Sequence, residues 1–305
     1  PAVTNFDRRS LKKMLYFFDD QSNQRVLYNT FDVTSLVQKA ENTVGVLLGN
    51  GWYNQRDRTV EGCMWYDTPR LLCQLEIEYT DGSTELVVTD DSWKTTTGPL
   101  LHDAIFTGEE YDARLELDGW NRNGYKDSSW KKALLVRAPK GSLHAQLAPH
   151  EKIAWTLQPV SCEQKDDSTY WYAFPEMISG WAHIKVQGNA GDRIKLRFVG
   201  EEKNDFGQVD LYTLRGSGVE QWEPRFTWHT FRYIEVISRQ VRMNKESLIA
   251  KVVHTDPQPA GSFSCSNELF NKINEVYLRT QKNNFHGSIS SDCPHRERLA
   301  YTGDA

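Results

Sequence analysis

Cysteine is scarce: five residues among 305 (Cys63, Cys73, Cys162, Cys265 and Cys293), an odd number with no CxxC pair. That argues against a disulfide framework and supplies no zinc-ligand spacing, so no metal site is expected from cysteine. Positive charge is not in excess either. Lys and Arg total 36 against 41 Asp and Glu, a net charge of -5. The clustered cations that neutralise phosphates are missing, and no nucleic-acid partner is expected. No apolar run approaches the roughly 20 residues of a membrane span, so no membrane partner is expected. No charged-then-apolar stretch reads as a signal peptide. Before residue 260, helical periodicity is confined to short stretches such as 33–40.

Aromatic residues, by contrast, are plentiful: ten Trp, 13 Tyr and 13 Phe, or 12% of the chain. Flat amphipathic rings suit the faces of sugars, and they serve equally well as the core of a β-sandwich. Hydrophobic residues at 39% and charged residues at 25% describe a globular protein. The length exceeds one typical domain, so two or three are expected.

The run Leu71-Leu72-Cys73-Gln74-Leu75-Glu76-Ile77-Glu78-Tyr79 alternates as a half-buried strand does. Asp81-Gly82 is a hairpin turn, and Glu85-Leu86-Val87-Val88-Thr89 returns. Trp120, Tyr125 and Trp130 lie in a segment rich in Asn, Gly, Asp and Ser, which reads as loops carrying aromatics. Pro139 and Pro149 suggest a boundary near residue 150. A second β-region follows. Ile184-Lys185-Val186-Gln187, a turn at Gly191-Asp192, and Arg193-Ile194-Lys195-Leu196-Arg197-Phe198 read as strand, turn, strand. Phe231-Arg232-Tyr233-Ile234-Glu235-Val236 is another alternating strand. Short strands punctuated by Gly and Asp favour antiparallel sandwiches over a parallel sheet.

After Pro257 and Pro259 the pattern changes. Ser266-Asn267-Glu268-Leu269 resembles a helix N-cap, and Leu269, Phe270, Ile273, Val276, Tyr277 and Thr280 recur at helical spacing. A lone helix cannot bury a core, so the chain reads as the front of a larger protein that continues into a helical domain.

The segment that could carry chemistry is Asp292-Cys293-Pro294-His295-Arg296-Glu297-Arg298-Leu299-Ala300-Tyr301-Thr302-Gly303-Asp304. Cleaving a glycosidic bond needs one carboxylic acid kept protonated and one carboxylate left ionised. Asp292, Glu297 and Asp304 offer the residue type. Arg296 and Arg298 can orient carboxylates or bind sugar hydroxyls. The bland alternative is a solvated helix start, with Asp292 as N-cap, Pro294 just inside and Glu297-Arg298 as surface charge. Trp228 and His229 read as packing.

This segment is similar to the signature of bacterial α-L-rhamnosidases, glycoside hydrolase family 78. Gly49-Asn50-Gly51-Trp52-Tyr53, Thr89-Asp90-Asp91-Ser92-Trp93-Lys94, Gly108-Glu109-Glu110-Tyr111-Asp112-Ala113-Arg114 and Gly119-Trp120 resemble the family's N-terminal sandwich. Ser179-Gly180-Trp181, Gly191-Asp192 and the ten residues from Pro224 to Tyr233 resemble its second sandwich. Gly261-Ser262-Phe263-Ser264-Cys265-Ser266-Asn267 resembles the entry to its helical barrel. The resemblance implies a mainly β chain: two antiparallel, jelly-roll-like β-sandwich domains at 1–150 and 151–258, then the first helices of an (α/α)6 barrel at 259–305. It implies an inverting α-L-rhamnosidase, bacterial, periplasmic or cytoplasmic, acting on terminal L-rhamnose in glycosides or polysaccharides. Glu297 would be the general acid, and Asp292 and Asp304 would bind the rhamnose hydroxyls. Arg296, Tyr301 and His286 would lie near the sugar. Relatives often carry Gly-Trp where this chain has Ala300-Tyr301; Tyr keeps a stacking face and adds a hydroxyl. The family's general base lies later in the barrel, past residue 305, so the 305 residues alone are expected to be inactive.

The resemblance implies no cofactor. In some relatives the first sandwich holds a calcium-assisted rhamnose site. Here Thr107 stands where an acidic residue often precedes the Gly-Glu pair. Glu109, Glu110, Asp112 and Trp130 are the candidates for sugar binding on that sandwich, against a purely structural role. A non-catalytic rhamnose- or carbohydrate-binding module is the alternative function.

Overall fold

The computed structural model describes residues 25–54, 67–138, 141–201, 205–287, 289–290, 294–295 and 298. Asp292, Arg296, Glu297, Tyr301 and Asp304 lie outside the described residues. In chain order the strands of the first half are β1 (Arg25–Tyr28), β2 (Gln74–Glu78), β3 (Thr84–Val88), β4 (Lys94–Thr95), β5 (Leu100–Ala104), β6 (Gly108–Asp112), β7 (Lys131–Lys132) and β8 (Ser142–Ala145). Then come β9 (Glu151–Leu157), β10 (Ser161–Gln164), β11 (Thr169–Gln187), β12 (Arg193–Val199), β13 (Asp205–Thr213), β14 (Val219–Trp222), β15 (His229–Ile237) and β16 (Leu248–Thr255). Helix α1 (Glu268–Asn284) and the short strands β17 (Phe285–His286) and β18 (Ile289–Ser290) close the described chain. The protein is mainly β, and α1 is the one α-helix among the described residues.

Local chemistry accounts for several elements. β2 and β3 form the expected hairpin, from Gln74 opposite Val88 to Glu78 opposite Thr84. Gly82 takes a φ of 82° at its turn, and the Asp81 side chain accepts from the Ser83 amide at 2.9 Å. Asn267 caps α1 by accepting from the Leu269 amide at 3.0 Å. The 33–40 stretch forms turns and bends and no helix.

Ten strands make one curled sheet, ordered β5-β6-β13-β12-β15-β11-β16-β9, with β10 and β14 also paired to β11. Strand β11 determines its shape. It is 19 residues long, about 60 Å if straight. Yet only five residues separate Gln187 from Arg193, a reach of about 20 Å. Arg193 begins β12, which pairs with β15 (Lys195 opposite Ile237), and β15 pairs with the start of β11 (Ile237 opposite Thr169). The end of β11 must therefore come back over its beginning. The bend falls at the register shift between Ala173 and Ile178, where Pro175 interrupts the donor ladder. The expected strand–turn–strand at 184–198 is thus an arch: its two arms pair with different neighbours, the 184–187 end of β11 with β14 and β16, β12 with β13 and β15. The curled sheet encloses Tyr172, Phe174, Ile178, Ile184, Ile194, Leu196, Phe198, Ile234, Leu248 and Val252, all at most 1% exposed.

Most ladders are antiparallel, as expected. Among the described residues two are parallel: β1 with β8, and β6 with β13. The second carries residues 100–112 into the same sheet as 151–255. Gly108 permits that docking, because a Cβ there would sit 1.9 Å from the Val209 carbonyl oxygen, and its φ is 126°.

Candidate active site

Four distant stretches of the chain meet around the Trp228 indole, at Ile105–Phe106, Trp228, His286 and Arg298. Helix α1 brings the third of them there. Asn283, in its final turn, donates from Nδ2 to the Met177 carbonyl (3.0 Å) and accepts from the Ser179 amide (3.2 Å), while Ser179 Oγ donates to the Asn283 carbonyl (2.7 Å). Arg279 adds an ion pair to Glu176 at 2.7 Å. The helix end is thereby fastened to the bend of β11, and the chain leaves it through β17, which lies near β16.

His286 in β17 is buried against Trp228: ring centroids 3.6 Å apart, planes 11° from parallel. Its Nδ1 lies 3.3 Å from Glu151 Oε1, which also accepts from the Gly287 amide at 2.9 Å. Burial holds the imidazole below its ordinary pKa, against the opposing pull of Glu151. Arg298 packs on the same indole, its guanidinium carbon 3.7 Å from the ring centroid and 5.5 Å from that of Phe106. The Arg298 fork donates to the carbonyls of Pro294 (2.8 Å), Trp228 (2.7 Å) and Ile105. At 4% exposure, Arg298 is not the surface charge that a solvated helix start would give it. Its φ is 53°, a left-handed conformation that costs a non-glycine residue about 1 kcal/mol. His295 stacks on Phe206 of β13 at 3.8 Å.

The remaining stretches support this junction from below. Trp52 meets Phe106 edge-on at 5.5 Å. The Asn50 amide donates to Asp103 Oδ1 (2.6 Å), and its side chain donates to the Asp103 carbonyl (2.9 Å). A Cβ at Gly49 would strike the Phe226 ring at 2.3 Å, so only glycine lets that loop lie against the 224–229 segment. Glu109 Oε2 accepts from the amides of Arg225 (2.8 Å) and Phe226 (3.1 Å). Burial, reinforced by nearby Asp210, pushes its carboxyl up to about 8 although the two amides oppose. Asp210 accepts from the Glu109 amide at 2.9 Å and lies 2.8 Å from His229 Nε2. His229 in turn stacks on Phe198 at 3.9 Å.

Of the sequence-predicted residues, His286 and Glu109 therefore belong to the junction. Glu110 is on the other face of β6, 3.1 Å from Arg193. Asp112 is held by the Arg114 guanidinium (2.7 and 2.9 Å), which keeps its carboxyl below the usual range. Trp130 sits beside the small β4–β7 sheet, stacked with Trp120 at 6.5 Å and edge-on to Tyr125 at 5.7 Å. The structure does not gather Glu109, Glu110, Asp112 and Trp130 into one site. Nor do the three acidic side chains fit a calcium ion, since each carboxylate is turned toward a different N–H donor. Among the described residues no group of three His, Cys, Asp or Glu side chains is placed to hold a metal. Sequence reasoning passed over Phe106 and Glu151 and read Trp228 as packing. The available signal was the Trp228-His229 pair inside a motif already noted.

Comparison with known proteins agrees with this organisation. Three family models match successive stretches: the α-L-rhamnosidase N-terminal domain over residues 18–154, the bacterial α-L-rhamnosidase concanavalin-like domain over 163–254, and the bacterial α-L-rhamnosidase 6 hairpin glycosidase domain over 258–305. A curated α-L-rhamnosidase of Formosa agariphila is 32% identical over 325 residues, covering 100% of this chain and 32% of that protein. One from an Alteromonas species is 33% identical over 300 residues, covering 92% of this chain and 32% of that protein. The solved α-L-rhamnosidase of Dictyoglumus thermophilum has a TM-score of 0.83 and 37% identity, over 93% of this chain and 33% of its own. The Streptomyces avermitilis α-L-rhamnosidase complexed with L-rhamnose has a TM-score of 0.82 and 29% identity, over 92% of this chain and 28% of its own. This chain spans about a third of the length of the curated relatives it matches. With all three matches in order along the chain and the signature inside the last of them, the chain belongs to the bacterial α-L-rhamnosidase family.

Proposed function

We propose that this chain provides the β-framework and the general-acid segment of an inverting α-L-rhamnosidase acting on terminal α-L-rhamnosyl linkages. The reading is carried by one observation: the run from Asp292 to Asp304 lies in the stretch matched by the 6 hairpin glycosidase domain, and two residues within it, Pro294 and Arg298, are buried. Glu297 protonates the departing oxygen. Asp292 and Asp304 hold the sugar hydroxyls, with Arg296 and Tyr301 beside them. A second carboxylate from the rest of the helical domain activates water on the opposite face of the ring. The L-rhamnose in the Streptomyces avermitilis complex supports rhamnose as the sugar.

The domain reading is likewise ours: two jelly-roll-like β-sandwiches, at 1–150 and 151–258, then the opening helices of an (α/α)6 barrel at 259–305. The order of the three family matches, the curled sheet and helix α1 support it. A general acid needs a raised pKa, hence a desolvated pocket with negative charge nearby. These 305 residues alone are accordingly expected to release no rhamnose.

Assay with p-nitrophenyl and alkyl α-L-rhamnosides tests the proposal. The full-length protein should release β-L-rhamnose first, seen by NMR as inversion. Glu297→Gln should lower turnover of the alkyl rhamnoside by at least about 10²-fold. Retention of configuration, or an undiminished Glu297→Gln variant, would overturn it.

A further inference from the structure

We infer that Trp228 and Arg298 are positioning residues for the general acid, so that the second β-region sets the geometry of proton donation. The inference rests on the reading of Glu297 as that acid, and it assigns a catalytic consequence to a tryptophan 70 residues upstream.

Arg298 is the covalent neighbour of Glu297, and consecutive Cα atoms are about 3.8 Å apart. Whatever holds the backbone at Arg298 therefore acts one peptide bond from the acid. Three features hold that backbone. The guanidinium fork donates to carbonyls of three segments, at Pro294, Trp228 and Ile105, and a planar fork sets direction as well as distance. The Trp228 indole lies 3.7 Å from the guanidinium carbon. The backbone at Arg298 is left-handed, φ 53°, a conformation that persists only where surroundings over-determine it.

Trp228 is itself held rather than merely packed. His286 stacks on it at 3.6 Å and is seated by Glu151, and the preceding residues Arg225 and Phe226 donate to buried Glu109. Burying a guanidinium among carbonyls is costly for stability alone. Its effect here is direction. A proton donor misplaced by about 1 Å can lose about 10²-fold in rate.

The test uses the full-length protein and two leaving groups. An alkyl α-L-rhamnoside needs its departing oxygen protonated; 2,4-dinitrophenyl α-L-rhamnoside does not. Trp228→Leu and Arg298→Lys should each lower kcat on the alkyl substrate by about 10²-fold. KM, and kcat on the dinitrophenyl substrate, should move by less than about threefold. Trp228→Phe, which keeps an aromatic face, should recover most of the loss. If Trp228→Leu does not fold, Arg298→Lys and Trp228→Phe carry the comparison. Equal losses on both substrates, or no loss on either, would overturn the inference. Glu297→Gln serves as reference: if it lacks the leaving-group split, the assignment of Glu297 itself fails. If it has the split while Trp228 and Arg298 variants lack it, only the positioning role fails.

Discussion

Strands β12, β13 and β15 bury two unlike regions side by side, with Leu196 of one directly opposite Asp210 of the other. Ile194, Leu196, Ile234 and Val236 are fully buried and apolar. Gln208, Asp210, His229 and Thr230 are just as buried but polar. The apolar region gains stability from area removed from water, and it is tolerant of how that area is filled. The polar region gains little net energy from its hydrogen bonds, since desolvation offsets them, but each donor and acceptor admits one arrangement of its neighbours. Asp210 of the polar region receives the Glu109 amide, and Trp228, next to His229, receives Arg298. The sheet is held together by one region and fixes these neighbours with the other.

Cutting the apolar region should cost most. Leu196→Ala removes a fully buried side chain and should lower unfolding free energy by about 2–5 kcal/mol, read as a shifted urea midpoint with unchanged slope. A loss below about 1 kcal/mol would mean that the curled sheet packs less tightly than described.

The polar region should respond through pH instead. Glu109 has a folded pKa raised to about 8 from 4.5. Its contribution is therefore fully present below about pH 4.5 and is lost as pH rises toward 8, where the folded state must surrender a proton it prefers to keep. Glu109→Gln keeps an oxygen for the Arg225 and Phe226 amides and removes the titration. The difference in stability between variant and parent should grow in the variant's favour between pH 5 and 8, by on the order of a few kcal/mol. Parallel pH curves would show that the carboxyl is ionised in the fold.

The smallest effect is expected outside both regions. Leu86 in β3 is 57% exposed, so Leu86→Thr should stay within about 0.5 kcal/mol of the parent. A larger loss would place that hairpin against a surface not among the described residues.

The strands at 74–78, 84–88, 193–199 and 229–237 and the helix at 268–284 were legible because side-chain period is a property of neighbouring residues. The bend of β11 was not. Pro175 marks it locally, but only the return from Gln187 to Arg193 forces the sheet to curl. The parallel pairing of β6 with β13 joins residues about a hundred apart, Glu110 opposite Leu211, and leaves no local trace beyond Gly108. Glu109 reads as a candidate sugar ligand until that pairing turns its carboxyl onto backbone amides. Trp228 reads as packing, and it is packed; what is invisible in the chain is that its partner is Arg298.

Alone, the sequence determined the mainly β character, the one long helix, and the acidic run whose likeness places the chain in its family. Those follow from periodicity, turn chemistry and motif, all of which act over a few residues. Tertiary structure alone decided that Ile105, Trp228, His286 and Arg298, up to 193 residues apart, share one buried junction. Such contacts arise from which faces the strands bury and how far one strand can bend, and no short stretch of the chain encodes either.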